Sequence, residues 1–153
     1  MELKKRKWKG NARCNICNVP KTIDHIFFSC IVAKFLWTCF KEALSWDRIP
    51  GGWQDFLDNW IPLGCKDYNA KLFLLTMVTW ALWTSRNKRA IEGLFPRYPA
   101  DLLFKTNALL QKWRVLQRDS VQIKITEWAG QVRRWMETIQ EEIGRRPAED
   151  LFL

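Results

Sequence analysis

The chain has 153 residues, with 25 Lys and Arg against 16 Asp and Glu, giving a formal net charge of +9. That is the length of one domain, and with 48% apolar residues, 14% aromatics and ten Trp it is not a disordered chain, which needs low hydrophobicity and few aromatics. The longest apolar run, Leu72 to Trp83, falls well short of the ~20 residues that cross a bilayer, so no membrane partner is expected. A basic surface of this size implies an anionic partner or none.

The first predicted element is a basic leader, residues 1–13, with its densest charge in Lys4, Lys5, Arg6, Lys7 and Lys9 and an aromatic, Trp8, inside the run. No apolar stretch follows the basic start, so it does not read as a secretory signal. Five cysteines are too few, and odd in number, for a disulfide scaffold. An intracellular, reducing setting is therefore expected, where free thiols can hold metal.

Next comes Cys14-x2-Cys17-x7-His25-x4-Cys30. A Cys-x-x-Cys turn sets two sulfurs on one side of a tight knuckle, suited to two corners of a zinc tetrahedron. His25 and Cys30 supply the other two corners from a second short segment. Four protein ligands leave no open position, so one structural Zn2+ is expected and not a catalytic one. The single His of the chain lies inside this cluster. Cys39 and Cys65 have no such neighbours and are expected to be small buried hydrophobes.

After the knuckle the pattern is helical and β-alternation is weak. Ile31 to Leu44 carries Val32, Phe35, Leu36, Cys39, Phe40 and Ala43 at spacings of three and four, which predicts the first helix and its core face. Ile49-Pro50-Gly51-Gly52 breaks the chain, Trp53 to Trp60 forms a short amphipathic turn or helix, and Pro62-Leu63-Gly64 breaks it again. Tyr68 to Glu92 is the longest helix, and its middle is apolar nearly all round, so it should be the centre of the core. Phe95 to Pro99 reads as a loop, and Tyr98-Pro99-Ala100-Asp101 as loop sequence. A fourth helix, Ala100 to Gln117, has Leu103, Phe104, Leu110, Trp113 and Leu116 on one side. A fifth begins at an Asp119-Ser120 cap, carries Ile125, Trp128, Val132, Trp135, Ile139 and Ile143 as a stripe, and ends at Gly144. Trp113, Trp128 and Trp135 are expected to pack in the core. The fold class is thus mainly α: an N-terminal CCHC zinc knuckle followed by a bundle of about four to five helices.

Several of these residues also resemble a known family. Leu3 to Gly10, with Arg6 and Trp8, followed by Cys14-Asn15-Ile16-Cys17, resembles the opening of the reverse-transcriptase zinc-binding domain of plant non-LTR retrotransposons. Ile23-Asp24-His25-Ile26-Phe27-Phe28-Ser29-Cys30, with Ala33 and Leu36-Trp37 downstream, is similar to the rest of that domain. Trp80-Ala81-Leu82-Trp83-Thr84-Ser85-Arg86-Asn87 resembles the Trp-x-x-Trp-x-x-Arg-Asn helix that follows it in the same polyproteins. The resemblance implies that Cys14, Cys17, His25 and Cys30 are the zinc ligands. It covers residues 1–90, which we read as the zinc-binding domain, and leaves 91–153 as a C-terminal helical extension. It also implies possible partners in the parent polyprotein, the reverse transcriptase or ribonuclease H domains.

The chain lacks the paired Asp of a polymerase palm, and its acids are scattered where a nuclease needs them convergent on two metals. No nucleophile–base pair and no Gly-rich phosphate loop are visible. The expectation is a non-catalytic accessory module that binds RNA or DNA through Lys4, Lys5, Arg6, Lys7, Trp8 and Lys9, gripping phosphates and stacking one base. The plainer alternative for this run is a solvated leader with Trp8 packed on the knuckle. For the whole chain the alternatives are a protein-interaction scaffold with Trp-rich helices and a non-functional remnant of a retroelement. Lys4-Lys5-Arg6-Lys7 also fits a short nuclear-import pattern, so nucleus or cytoplasm is expected, with the nucleus favoured. Lys21 and Lys34 would extend the basic patch if the knuckle folds back on them. Arg86, Lys88, Arg89 and Arg97 are read as cations answering a helix C-terminus.

Overall fold

The computed structural model describes residues 12–92 and 99–145, with side chains described over 12–88 and 100–141. Among these the fold is helical, with no strand beyond a single antiparallel bridge between Arg13 and Pro20. A hairpin over residues 12–21 leads into a π-helical turn, His25–Ser29, and then into α1, Ile31–Leu44. Then come α2, Trp53–Asp55, which continues as a π turn over Phe56–Trp60, and α3, Tyr68–Glu92. The last elements are α4, Pro99–Trp113, with a short 3-10 extension Arg114–Leu116, and α5, Asp119–Arg145. The expected CCHC knuckle followed by a helical bundle is the observed architecture.

The breaks fall where backbone chemistry demands them. α1 ends at Ser45, which takes a left-handed φ of 56°, and the Trp46 amide returns to the Lys41 carbonyl at 2.9 Å. α4 starts at Pro99, whose fixed φ and missing N–H suit a first helical position, with Asp101 in the first turn. Pro99, Ala100 and Asp101, expected as loop sequence, therefore start a helix. α4 tightens into its 3-10 turn after Trp113 instead of running on to Gln117. α5 begins at Asp119 itself, so Asp119 and Ser120 are inside the first turn, and it passes through Gly144 to Arg145 instead of stopping at that glycine.

One hydrophobic cluster joins the elements. α3 packs on α4, α5 packs on α1, α3 and α4, and both α1 and α3 pack on the His25–Ser29 turn. From α1 the core takes Ala33, Leu36, Trp37, Cys39 and Phe40. Phe35, expected on that face, is instead exposed, because the buried face is turned round the helix toward Ala33 and Trp37 and leaves Phe35 beyond its edge. Trp37 stacks on Phe28 with centroids 5.7 Å apart, and its indole N–H donates to the Phe27 carbonyl at 2.7 Å. Phe56 lies within 5.9 Å of the Trp37 ring and 6.3 Å of Phe28. This aromatic block ties the π turn, α1 and α2 together.

α3 buries Phe73, Leu74, Leu75, Met77, Val78, Ala81 and Leu82, yet it is not enclosed all round. Trp80 and Trp83 stay 54% and 47% exposed, and Trp113 of α4 is 40% exposed. With Phe27, Trp53, Thr76 and Met77 they line an open groove of about 450 Å3. Trp113 is thus a groove residue, contrary to the expected core role, while Trp128 is buried and Trp135 half-buried against the core. Phe104 and Leu116 are exposed too; α4 faces inward through Leu102, Leu103, Thr106, Asn107 and Leu110. No helix among the described residues is long and apolar enough to cross a membrane.

Candidate metal centre

The site begins with a hairpin that has almost no core of its own. The Cys14 amide donates to the Val19 carbonyl and the Asn18 amide to the Cys14 carbonyl, both at 2.8 Å. Asn18 turns the chain with φ of 55°, a left-handed conformation that Asn tolerates well. The Lys21 amide closes the base on the Ala12 carbonyl at 2.8 Å, and the Arg13 guanidinium holds the Asn18 carbonyl at 2.8 Å. This tight reversal carries Cys14 and Cys17.

The second pair comes from the turn that precedes α1. Thr22 accepts the His25 amide at 3.0 Å through its hydroxyl, so helical winding begins just ahead of His25. The π turn then closes with the Cys30 amide on the His25 carbonyl at 2.7 Å. Cys30 leaves the helical region with ψ of 143° and caps α1. The wider π turn lets His25 and Cys30, five residues apart, serve one point.

The four ligand atoms lie within 4.8 Å of one another. Cys14 Sγ is 3.9 Å and Cys17 Sγ 3.7 Å from Cys30 Sγ. The edge of a zinc tetrahedron with Zn–S bonds of about 2.3 Å is about 3.8 Å. The sulfurs therefore already stand at coordination spacing. All five cysteines are free thiols, and Cys14 and Cys30 are almost fully buried. His25 is buried as well, and its Nε2 has no hydrogen-bond partner among the described residues. A buried polar atom without a partner is costly unless something absent from the protein atoms satisfies it. Soft thiolates with one imidazole suit zinc, so the residues present fit the metal.

The electrostatics differ from one sulfur to the next. Burial works against ionisation of Cys14, but the amides of Cys17 and Ile16 and the side chains of His25 and Arg86 outweigh it and bring its thiol down to about 5. Burial pushes the Cys30 thiol up to about 11. Cys39, away from the cluster, is pushed up to about 11 by burial, which outweighs a backbone hydrogen bond, and is the small buried hydrophobe expected. Cys65 is only half-buried, with its thiol 3.7 Å from the Trp60 carbonyl.

These four positions fall in a segment that matches a family model. Residues 1–37 match the family described as zinc-binding in reverse transcriptase. No curated protein and no solved structure matches the chain. The reverse-transcriptase zinc-binding match spans all four candidate ligands and ends at Trp37, the buried indole that fastens α1 to the turn.

Two residues carry roles that reading along the chain did not assign. Asp24, next to His25 in the matched segment, accepts the Trp53 amide at 2.8 Å and so caps α2 from across the fold. Gly52 leaves room for it, since a Cβ there would stand 3.1 Å from the same carboxylate oxygen. Arg86 reaches Cys14 Sγ through Nη1 at 3.6 Å and Nη2 at 3.7 Å. It is not the helix-end cation expected of it. Lys88 is exposed, and the side chains of Arg89 and Arg97 lie outside the described residues, as do Lys4, Lys5, Arg6, Lys7, Trp8 and Lys9. Lys21 sits at the base of the hairpin, and Lys34 is an exposed residue of the first turn of α1 whose amide donates to the Cys30 carbonyl at 2.8 Å.

Proposed function

We propose that the chain is a zinc-stabilised nucleic-acid-binding accessory module derived from a reverse transcriptase of the plant non-LTR type, with no catalysis of its own. In this reading Cys14, Cys17, His25 and Cys30 hold one structural Zn2+. The observation that carries it is the gathering of these four donors, at zinc spacing, within the segment that matches zinc-binding in reverse transcriptase. Four protein donors complete a tetrahedron and leave no position for a reacting water. Residues 1–90 form the accessory module and 91–153 a helical extension, with the polymerase or ribonuclease H domains of a parent polyprotein as partners. A reducing interior keeps the thiols free, and Lys4-Lys5-Arg6-Lys7 favours the nucleus.

The nucleic-acid half of the reading rests on the basic run of Lys4, Lys5, Arg6, Lys7 and Lys9, which lies within the matched segment directly before the knuckle. Five phosphate contacts on a single strand give a salt slope of about −3.5, so affinity should fall about 100-fold between 50 and 200 mM salt. The test is binding of single-stranded RNA by the zinc-loaded chain across that range, beside a variant with these five cations changed to Gln. A flat salt response, or no binding at micromolar protein, sinks this half of the reading.

The exposed Trp80, Trp83 and Trp113 favour a second reading, a self-associating interaction module in which a second copy covers the groove. Monomers seldom leave large apolar patches open. Light scattering separates the two, because a strict monomer at tens of micromolar removes this second reading.

A further inference from the structure

The contact between Arg86 and Cys14 spans 72 positions of sequence and joins the longest helix to the metal centre. Its plain explanation, a cation answering the helix dipole, does not hold. α3 runs on to Glu92, six residues past Arg86, whereas the dipole acts within the last turn. Among the described residues no carboxylate pairs with Arg86, and its Nε is buried with no partner. A partly buried guanidinium without an anionic partner would be a poor arrangement. Turned toward a loaded site it is a good one. Three thiolates around one Zn2+ leave about one net negative charge, and a guanidinium removes it.

We propose that Arg86 belongs to the metal centre as its counter-charge, and that through it the docking of α3 is coupled to zinc. The inference rests on the zinc reading above and goes beyond it. Its two-pronged approach to Cys14 fixes the orientation of that ligand, as groups that hydrogen-bond metal ligands do elsewhere. Coupling is reciprocal: if zinc favours the docked Arg86, the docked Arg86 favours zinc by the same factor. One face of α3 also supplies Trp80 and Trp83 to the groove, opposite Phe27 from the turn beside His25. The metal thus helps set the spacing of the groove walls.

Zinc affinity of the full chain, measured by competition with a chromophoric chelator, tests this with Arg86→Met and Arg86→Lys. Met keeps the apolar stem and loses the charge, while Lys keeps the charge and loses the fork. The expected result is a loss of about 10–100-fold in affinity for Met and a smaller loss for Lys. Hydrogen exchange supplies a second readout. Zinc should protect the amides of residues 68–88 in the wild type, and protect them less in Arg86→Met. If Met binds zinc no more weakly than Lys, the counter-charge role is overturned. Should Arg86→Met fail to fold with zinc in excess, Arg86→Gln replaces it in the same comparison with Lys. A wild-type chain that binds no zinc overturns the zinc reading and this inference together, whereas tight wild-type binding with no difference between the variants overturns this inference alone.

Discussion

Thermal unfolding in buffered zinc puts the metal centre to its sharpest test. A ligand that binds only the folded chain stabilises it by RT ln(1 + [L]/Kd), about 4 kcal/mol at a thousandfold excess over Kd and about 1.4 kcal/mol for each further decade. The structure argues that this stabilisation is felt globally. The Cys17 and Cys14 sulfurs stand 3.7 and 3.9 Å from Cys30 Sγ, close to the edge of a zinc tetrahedron, so the fold holds these ligands at coordination spacing. Cys14 and Cys30 are members of the same buried cluster as Leu36, Trp37 and Phe40, so the site cannot open without disturbing the common core. For a domain near this size, 1 kcal/mol moves Tm by about 2–4 °C. Zinc at a thousandfold excess should therefore raise Tm by about 8–16 °C, with about 3–6 °C for each further tenfold increase. Cys30→Ser should remove that slope while leaving a helical far-UV spectrum at low temperature, because α1, α3 and α5 retain their packing. A Tm that does not change with free zinc in the wild type refutes the reasoning.

Other perturbations separate packing from metal binding. Asp24→Ala should cost about 1 kcal/mol in urea unfolding through loss of the α2 cap and leave zinc affinity unchanged; an equal loss of zinc affinity would show that Asp24 acts on the metal. Trp37→Phe should cost about 2–4 kcal/mol by the same assay, since it leaves the Phe27 carbonyl without its indole donor and opens space beside Phe28; a cost under 1 kcal/mol would contradict the contacts. The Arg48 guanidinium grips Asp55 at 2.6 and 2.7 Å, and with the Gly51 amide and Asn59 it lowers that carboxyl below its usual range. A lowered carboxylate stabilises the fold above its unfolded pKa of about 3.9 and loses that contribution as pH falls. Asp55→Asn should thus be less stable than wild type at pH 7, with the gap closing progressively below about pH 4; a gap independent of pH removes the ion pair from the account.

How much of this was legible along the chain depends on the kind of signal. The four donors were legible because chemistry restricts metal ligands to few residue types, and their spacings declare a knuckle. Helix existence was legible because breakers such as Pro50-Gly51-Gly52 and Pro62-Leu63-Gly64 bracket runs with helical period. Facing was harder. Periodicity groups residues on one side of a helix but does not say which side meets the core. The inward face of α1 centres on Leu36 and Phe40 and turns toward Trp37, whose indole N–H donates to the Phe27 carbonyl, which leaves Phe35 beyond its far edge. Trp80 and Trp83 lie on a helix that is apolar all round, so nothing local marked them as the open face. Arg86 and Asp24 were illegible for a different reason: their partners, Cys14 and Trp53, are distant in sequence, and no local rule points to either.

The need for a metal here follows from what the hairpin lacks. Between Ala12 and Lys21 only Cys14 is fully buried, with Ile16 and Cys17 partly packed against the core. A segment so short cannot bury enough apolar surface to order itself, and a structural metal is the usual substitute for the missing core. Asp24 and His25 show how the substitution is joined to the rest. The two are neighbours in one turn, yet the imidazole joins the sulfurs while the carboxylate crosses to cap α2. Phe28, three residues on from His25, then stacks on Trp37 of α1 and meets Phe56 beyond α2. The His25 ligand and the aromatic Phe28 thus share a single π turn, so order at the metal centre and order in the core reinforce each other.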